Sequence, residues 1–130
     1  EQAEAAVSEA LGADRGAAVL IVEAGACGTP LKAIGLGNIR GEIVAQGGRH
    51  GIPSAAGIAG ASTRRPRVTE HDWPAGATLI LTTDGLKSAL RTPEPPALMH
   101  RDALTIAAAI YQRRRRDTDD CGVVVLKARP

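Results

Sequence analysis

The chain has 130 residues, of which 44% are hydrophobic and 23% are charged. This length suits one packed domain and leaves little room for two, so we expect a single domain over residues 1–130. Aromatic residues make up only 2% of the chain, which argues against a surface on which bases or sugars stack. The formal net charge of +2 comes from 16 basic and 14 acidic residues, a balance too even to indicate a nucleic-acid or membrane partner.

Cysteine content and hydropathy indicate a cytoplasmic protein. Cys27 and Cys121 lie far apart and form no metal-binding pair, so we expect reduced, buried thiols. No apolar run reaches the roughly 18 residues of a spanning helix. No basic segment followed by an apolar one opens the chain as a signal peptide would. We therefore expect a cytoplasmic protein without a membrane partner.

The first half of the chain predicts a helix, a strand and a hairpin. Residues 1–12 have apolar side chains at helical spacing and end on a glycine. Residues 17–23 form a short apolar run with β-branched residues, which favours a buried strand. Residues 31–48 alternate apolar and polar side chains on both sides of a Gly-Asn pair, which predicts two antiparallel strands joined at a tight turn. Residues 49–67 are rich in Gly, Ser and Pro and predict a long surface loop.

The second half begins with strands and a linker. An edge strand is expected before Trp73, and after a Pro-Ala-Gly turn the apolar residues 77–83 predict a buried strand. A short helix is expected over residues 86–90. A linker with several prolines then extends to about residue 100.

The C-terminal part predicts a helix and a last strand. Residues 101–116 form an amphipathic helix in this interpretation, with one apolar face made of Leu104, Ala107, Ala108 and Tyr111. The four arginines at 113–116 close that helix, where cations favour the negative end of the helix dipole. They are expected to be solvated, with docking of an acidic or phosphorylated protein surface as the functional alternative. Residues 121–128 predict another buried strand.

Three acidic residues are expected at one edge of the sheet. Asp84 follows the strand 77–83, and Asp119 and Asp120 precede the last strand. If the two strands are antiparallel neighbours, the three carboxylates meet there. Neighbouring carboxylates repel unless cations compensate, and hard oxygen ligands suit Mg²⁺ or Mn²⁺. The alternatives are an Asp-Gly turn, a cap of the short helix, and a solvated loop.

Four stretches of the sequence resemble a known family. They are "GAAVLIVE" followed by "LKAIGLGNIRGEIV", then "IPSAAGIAG", then "WPAGATLILTTDGL", and finally "DTDDCGVVVL". In this order they resemble the metal-dependent protein phosphatases of the type 2C superfamily, in particular the bacterial SpoIIE/RsbX branch. The resemblance covers nearly the whole chain from about residue 15 to residue 127. Each motif alone is weak, whereas four in the right order are fairly specific.

The resemblance implies a fold and a set of site residues. The fold would be an α/β (α+β) antiparallel β-sandwich flanked by helices, lacking its N-terminal part. Asp84 and Asp119 would be the catalytic metal ligands, and Asp120 a neighbour that orients water or the loop. Gly85 would let the backbone approach the site. The implied cofactor is Mn²⁺ or Mg²⁺, and the implied reaction is two-metal hydrolysis of a phosphoserine.

The resemblance also implies partners and an alternative function. The substrate would be a phosphorylated regulatory protein, a STAS-type or anti-sigma component of a stress-response or sigma-factor partner-switching pathway. The family's first metal motif, an Asp-Gly pair whose Asp bridges both metals, is not found in this sequence. A fragment of a longer protein is therefore one expectation. The alternative is a catalytically inactive regulatory module that binds an anti-sigma or phosphorylated partner.

Two other patterns are weighed and set aside. The segment "GLGNIRG" has the wrong glycine spacing for a dinucleotide loop and is followed by a strand-like stretch. His50, His71 and His100 share no ligand spacing, so ordinary surface or loop histidines are expected. A nucleic-acid-binding module based on the four arginines is a third and weaker hypothesis.

Overall fold

Two antiparallel sheets and one α-helix make up the described part of the chain. The computed structural model describes residues 2, 16–60, 65–89 and 94–130. The seven strands are β1 (Val19–Glu23), β2 (Leu31–Leu36), β3 (Arg40–Ala45), β4 (Gly48–Ile52), β5 (Thr69–His71), β6 (Thr78–Thr82) and β7 (Val123–Lys127). The α-helix, α1, is Ala103–Arg114, and a 3₁₀ helix at Pro96–His100 precedes it.

The strands form a three-stranded and a four-stranded sheet. Their orders are β1-β2-β5 and β4-β3-β6-β7, and every pair of neighbours is antiparallel. One apolar cluster joins the two sheets, because it contains Leu31 of β2 together with Ile43 of β3 and Leu79 of β6. The architecture is therefore a β-sandwich, as the resemblance implies.

Helix α1 forms a third layer on the outer face of the four-stranded sheet. Its buried residues Ile106 and Ile110 pack with Ile80 of β6 and with Leu86. Strand β6 is thus covered on both faces, which explains its uninterrupted apolar sequence. The predicted class, antiparallel sheets with helix outside, is confirmed.

Helix α1 begins at a side-chain cap. The carboxylate of Asp102 accepts hydrogen bonds from the backbone N–H of Thr105 at 2.9 Å and from its hydroxyl at 2.6 Å. This is the usual N-cap arrangement, in which an acidic side chain satisfies a free amide of the first turn. The same hydrogen bonds hold the pKa of Asp102 below its usual value. The helix start is therefore fixed by residues local to it.

Several predicted strands are confirmed, but β7, which was expected to be buried, is half exposed, with Val124 60% exposed. The stretches 17–23, 77–83 and 121–128 contain β1, β6 and β7. Strands β6 and β7 are antiparallel neighbours, with Thr82 opposite Val123. The condition for bringing the acidic residues to one edge is therefore met.

The predicted hairpin over residues 31–48 is wrong. Its two strands, β2 and β3, belong to different sheets, and the chain crosses between the sheets at Gly37, whose φ is 91°. Strand β3 pairs instead with β4, so part of the expected surface loop 49–67 is a strand. Alternation of apolar and polar residues shows that one face of a strand is buried. It does not show which strand lies beside it.

The C-terminal helix is present, but its predicted apolar face is wrong. Leu104 is 79% exposed and Tyr111 is 42% exposed, whereas Ile106, Ile110 and Arg114 are buried. Apolar side chains surround much of this helix, so spacing alone did not select the face that packs. Packing against β6 and β7 buries Ile106 and Ile110 instead.

The expected short helix over residues 86–90 is also wrong in its described part. Leu86 forms an isolated antiparallel bridge with Arg115, at the end of α1. The segment is therefore extended, and it is held to the end of the helix by backbone hydrogen bonds. The proline-containing linker is partly ordered into the 3₁₀ helix.

Two expectations extend beyond the described residues. The predicted N-terminal helix 1–12 lies outside the described residues, apart from Gln2. The single domain over residues 1–130 stays a prediction. Within the described ranges, no helix is both long enough and apolar enough to cross a membrane.

A pair of histidines joins the open edges of the two sheets. His50 of β4 and His71 of β5 stack with ring centroids 5.8 Å apart, and Oγ1 of Thr69 lies 2.9 Å from Nε2 of His71. Burial, and then the charge of His50, lower the pKa of His71 below its ordinary value of 6.5. The folded chain therefore favours neutral His71.

We expect this pair to make stability depend on pH. A histidine whose pKa is lowered by folding contributes fully above its unfolded pKa of about 6.5, and its contribution is lost as the pH falls from there through the lower pKa of the folded state. The urea concentration at the midpoint of unfolding should therefore decrease as the pH is lowered from 7.5 to 5.5. His71→Gln should reduce this dependence, and an unchanged pH slope in that variant would contradict the assignment.

Candidate metal site at the sheet edge

The end of β6 and the beginning of β7 lie at the same edge of the four-stranded sheet. Beyond the last pair of the ladder, the backbone N–H of Thr83 donates to the carbonyl of Gly122 at 3.1 Å. The N–H of Gly122 donates to the Thr83 hydroxyl at 2.9 Å. These bonds continue the pairing past the strands and bring Asp84 beside the segment 119–121.

Gly85 lets the two segments touch. A Cβ at this position would overlap the backbone oxygen of Asp120 and lie 2.9 Å from Sγ of Cys121. The Cys121 thiol donates to the carbonyl of Gly85 at 3.0 Å. Cys121 and Cys27 are both free and half-buried. This close approach requires a glycine at position 85.

The three candidate carboxylates are all exposed at this edge. Oδ2 of Asp84 accepts a hydrogen bond from Nδ2 of Asn38 at 3.1 Å. Oδ1 of Asp119 accepts one from the backbone N–H of Asp120 at 2.9 Å. No helix begins within the described residues 86–89, so Asp84 caps none there. Asp84 and Gly85 do lie in a turn, as the Asp-Gly alternative expected.

Asn38 is a site residue that the sequence did not reveal. It lies in the connection between β2 and β3, 46 residues before Asp84. Asparagine after glycine is common in turns, so its sequence context indicated only local structure. The long-range contact follows from the crossing of the chain between the two sheets.

The candidate metal donors at this edge are carboxylates. Among the residues that the structure describes, no group of three or more His, Cys, Asp or Glu side chains is close enough to hold a metal ion. Mg²⁺, however, is commonly held by one or two carboxylates together with waters and substrate phosphates. Exposed carboxylate oxygens of Asp84 and Asp119 are ligands of that kind. Their assignment as ligands stays a prediction.

Comparisons with known proteins give a fold. No family model and no curated protein matches this sequence. The structure is similar to the RsbX chain crystallised with magnesium, with a TM-score of 0.72 at 17% identity over 96% of this chain and 64% of that one. It is similar to the phosphatase domain of the Bacillus subtilis cell fate determinant SpoIIE, with a TM-score of 0.57 at 16% identity over 99% and 66%. The chain has the fold of RsbX and the SpoIIE phosphatase domain.

A third solved structure is also similar to this chain. It comes from work on the bacterial stressosome, described as a modular system adapted to control secondary messenger signalling. The TM-score is 0.82 at 20% identity, and the match covers 95% of this chain and 65% of that one. The predicted resemblance is therefore confirmed for the fold. At these identities the similarity shows shared architecture, and site roles need their own tests.

A cluster of four charged residues, two of them buried, lies beside this edge. We call Glu42, Arg49, Glu94 and Arg114 the four-charge cluster. Arg114 donates to Glu94 at 3.1 Å and to the carbonyl of Lys87 at 2.7 Å. It also forms a second ion pair, with Glu42, at 3.8 Å. Arg49 donates to Glu94 at 2.6 Å and also pairs with Glu42.

The four-charge cluster corrects one sequence expectation. Arg114 was expected to be solvated with the other arginines at the helix end, but it is fully buried. A sequence signal existed, because Arg114 follows Ile106 and Ile110 at intervals of four along the helix. These positions share one face of α1. The cluster fixes the end of α1 against the segment that follows Asp84.

Proposed function

We propose that this chain is part of a Mn²⁺- or Mg²⁺-dependent serine/threonine protein phosphatase. Its substrate would be a phosphoserine regulator of a stress-response or sigma-factor partner-switching pathway. The observation that supports this proposal is the contact of Gly85, next to Asp84, with Asp120 and Cys121 in a fold shared with the SpoIIE phosphatase domain. The proposal includes a cytoplasmic location.

Each residue at the edge has a distinct role in this proposal. Asp84 and Asp119 hold the cation, and Asn38 orients the carboxylate of Asp84 by binding its Oδ2. Gly85 keeps the two segments in contact, and Asp120 orients water or the loop. A bound Mn²⁺ or Mg²⁺ supplies positive charge that stabilises the phosphoryl oxygens and makes water a better nucleophile. Because the carboxylates are exposed, a phosphoserine on a protein surface has access to them.

A second candidate is a regulatory module that binds its partner without catalysis. The described residues provide no group of three metal-binding side chains, which favours this candidate. The high similarity to the chain from the stressosome work is compatible with it. The partner would then be an anti-sigma or phosphorylated protein.

We expect Mn²⁺ binding to depend on Asp84. Calorimetric titration of the chain with Mn²⁺ and Mg²⁺ should detect a site, and Asp84→Asn should weaken binding at least about tenfold because it removes a charged ligand. The substituted side chain can still accept the hydrogen bond of Asn38. Asp72→Asn makes the same charge change at an exposed position outside the edge, and it should leave affinity unchanged.

Turnover of p-nitrophenyl phosphate in the same samples separates the two candidates. Binding with turnover, both lost in Asp84→Asn, supports the phosphatase. Binding without turnover supports the regulatory module. No binding at millimolar cation, or equal binding in Asp84→Asn, rejects the metal site.

A further inference from the structure

An open groove with basic walls lies next to the acidic edge. Its volume is about 760 Å³, and we call it the basic groove. The residues that line it are Arg40, Lys87, Ser88, Arg115, Arg116, Asp117 and Thr118. Four of these carry positive charge and one carries negative charge, in a chain whose net charge is only +2. The groove therefore concentrates the basic character of the molecule.

The basic groove is attached directly to the candidate metal site. The N–H of Lys87 donates to the carbonyl of Arg114 at 2.7 Å, and the N–H of Arg116 donates to the carbonyl of Gly85 at 3.0 Å. Lys87 is three residues after Asp84. Arg40 is opposite Thr82, the last residue of β6. A ligand in the groove thus lies beside the edge that carries Asp84.

The cations of the groove have no carboxylate partners among the described residues. Ion pairs within the described ranges use Arg49 and Arg114, which take up Glu42 and Glu94 in the four-charge cluster. Arg115 lies against the Tyr111 ring, with its guanidinium carbon 5.9 Å from the ring centroid. Nη1 of Arg40 is buried and has no hydrogen-bond partner among the described residues. Among the residues that line the groove, positive charge therefore exceeds negative charge.

The chemistry of the lining selects the class of ligand. Guanidinium groups bind carboxylates and phosphates with paired hydrogen bonds. No aromatic side chain lines the groove, so it lacks the stacking platform that single-stranded nucleic acids use. We propose that the basic groove binds an acidic segment of a protein partner. That this segment presents a phosphoserine to Asp84 is the part of the proposal that rests on the proposed function.

The test is binding of a fluorescein-labelled acidic peptide, with Asp and Glu on both sides of one phosphoserine. Fluorescence anisotropy is measured in EDTA, so that neither metal binding nor hydrolysis is needed. Lys87→Ala/Arg116→Ala should weaken binding at least about tenfold, because it removes two charge-assisted contacts. Affinity should also fall as salt is raised.

The control is a double variant with the same charge change elsewhere. Arg101→Ala/Arg129→Ala removes two exposed arginines that do not line the groove. It should change affinity by less than about twofold, since distant exposed charges are screened. Both double variants should keep the parent's thermal midpoint. Lys87→Gln/Arg116→Gln, which keeps side-chain length, replaces the alanine pair if that pair is unfolded.

The outcomes separate the groove from the proposed function. Equal loss of binding in both double variants, or no binding of the peptide, overturns the groove proposal. Tighter binding of a single-stranded oligonucleotide, lost in the same groove variant, overturns it in favour of a nucleic acid. Peptide binding at the groove without turnover under any cation supports the groove and rejects the phosphatase. Turnover of p-nitrophenyl phosphate without peptide binding supports the phosphatase and rejects the groove proposal.

Discussion

Arg114→Met is expected to lower the free energy of unfolding by about 3–5 kcal/mol. Arg114 is fully buried, and its partner Glu94 has only 1% of its side chain exposed. Removing the guanidinium leaves two carboxylates, those of Glu42 and Glu94, with only Arg49 between them. A buried charge without compensation costs far more than the lost contact itself. Urea unfolding followed by circular dichroism measures the change.

Two controls isolate the charge effect. Arg115→Met makes the same substitution one residue later at an exposed position, and it should change stability by less than about 1 kcal/mol. Glu94→Met added to Arg114→Met removes one charge of each sign and leaves the Glu42–Arg49 pair intact. The double variant should be more stable than Arg114→Met alone, because neutral packing often replaces a buried ion pair without loss. If it is less stable, burial of charge is not the cause.

Gly85→Ala is expected to destabilise the fold by about 1–3 kcal/mol, the usual cost of forcing a methyl group into a filled space. The added Cβ would overlap the backbone of Asp120, which has no freedom to rotate away. The segments carrying Asp84 and Asp119 must then separate. Cation affinity should therefore fall together with stability, and calorimetric Mn²⁺ titration with urea unfolding measures both.

Gly47→Ala is the matched control for this variant. Nothing lies within 4 Å of a Cβ at that position, and its φ is not in the left-handed region. Alanine there should be neutral or slightly stabilising, because it restricts the unfolded chain. Gly85→Ala with unchanged stability and unchanged Mn²⁺ affinity would show that the contact with Asp120 has no role in the site.

The sequence predicted the elements of the sheet better than their partners. Strands β6 and β7 lie in apolar runs and were predicted as strands. Their antiparallel pairing was only a condition of the metal-site hypothesis, and the structure shows that it is met. The assignment of β2 and β3 to one hairpin failed, because residues that alternate in polarity look alike whether the next strand lies beside them or across the core. Sheet membership depends on contacts such as Leu31 with Ile43, which are distant in sequence.

The candidate site shows the same division. The segments that carry Asp84 and Asp119 lie at one edge because β6 and β7 are antiparallel neighbours. The roles of these residues in a metal site stay a prediction. Asn38 was missed since its partner is 46 residues away. Burial of Arg114 was missed because a run of four arginines suggests exposure to solvent. Only the position of Arg114 on the helix distinguishes it from the exposed arginines. The four arginines look equivalent in the sequence, but in the fold Arg114 is buried and the other three are exposed.

The double coverage of β6 has a consequence for local opening of the molecule. Leu79 belongs to the cluster between the sheets and Ile80 to the cluster under α1, so neither layer can detach without exposing this strand. Amide hydrogens of a strand held in this way exchange with solvent only when the whole fold opens. Asp84 is two residues beyond its end. The carboxylate edge is therefore attached to a strand whose amide hydrogens we expect to exchange among the slowest of the described residues.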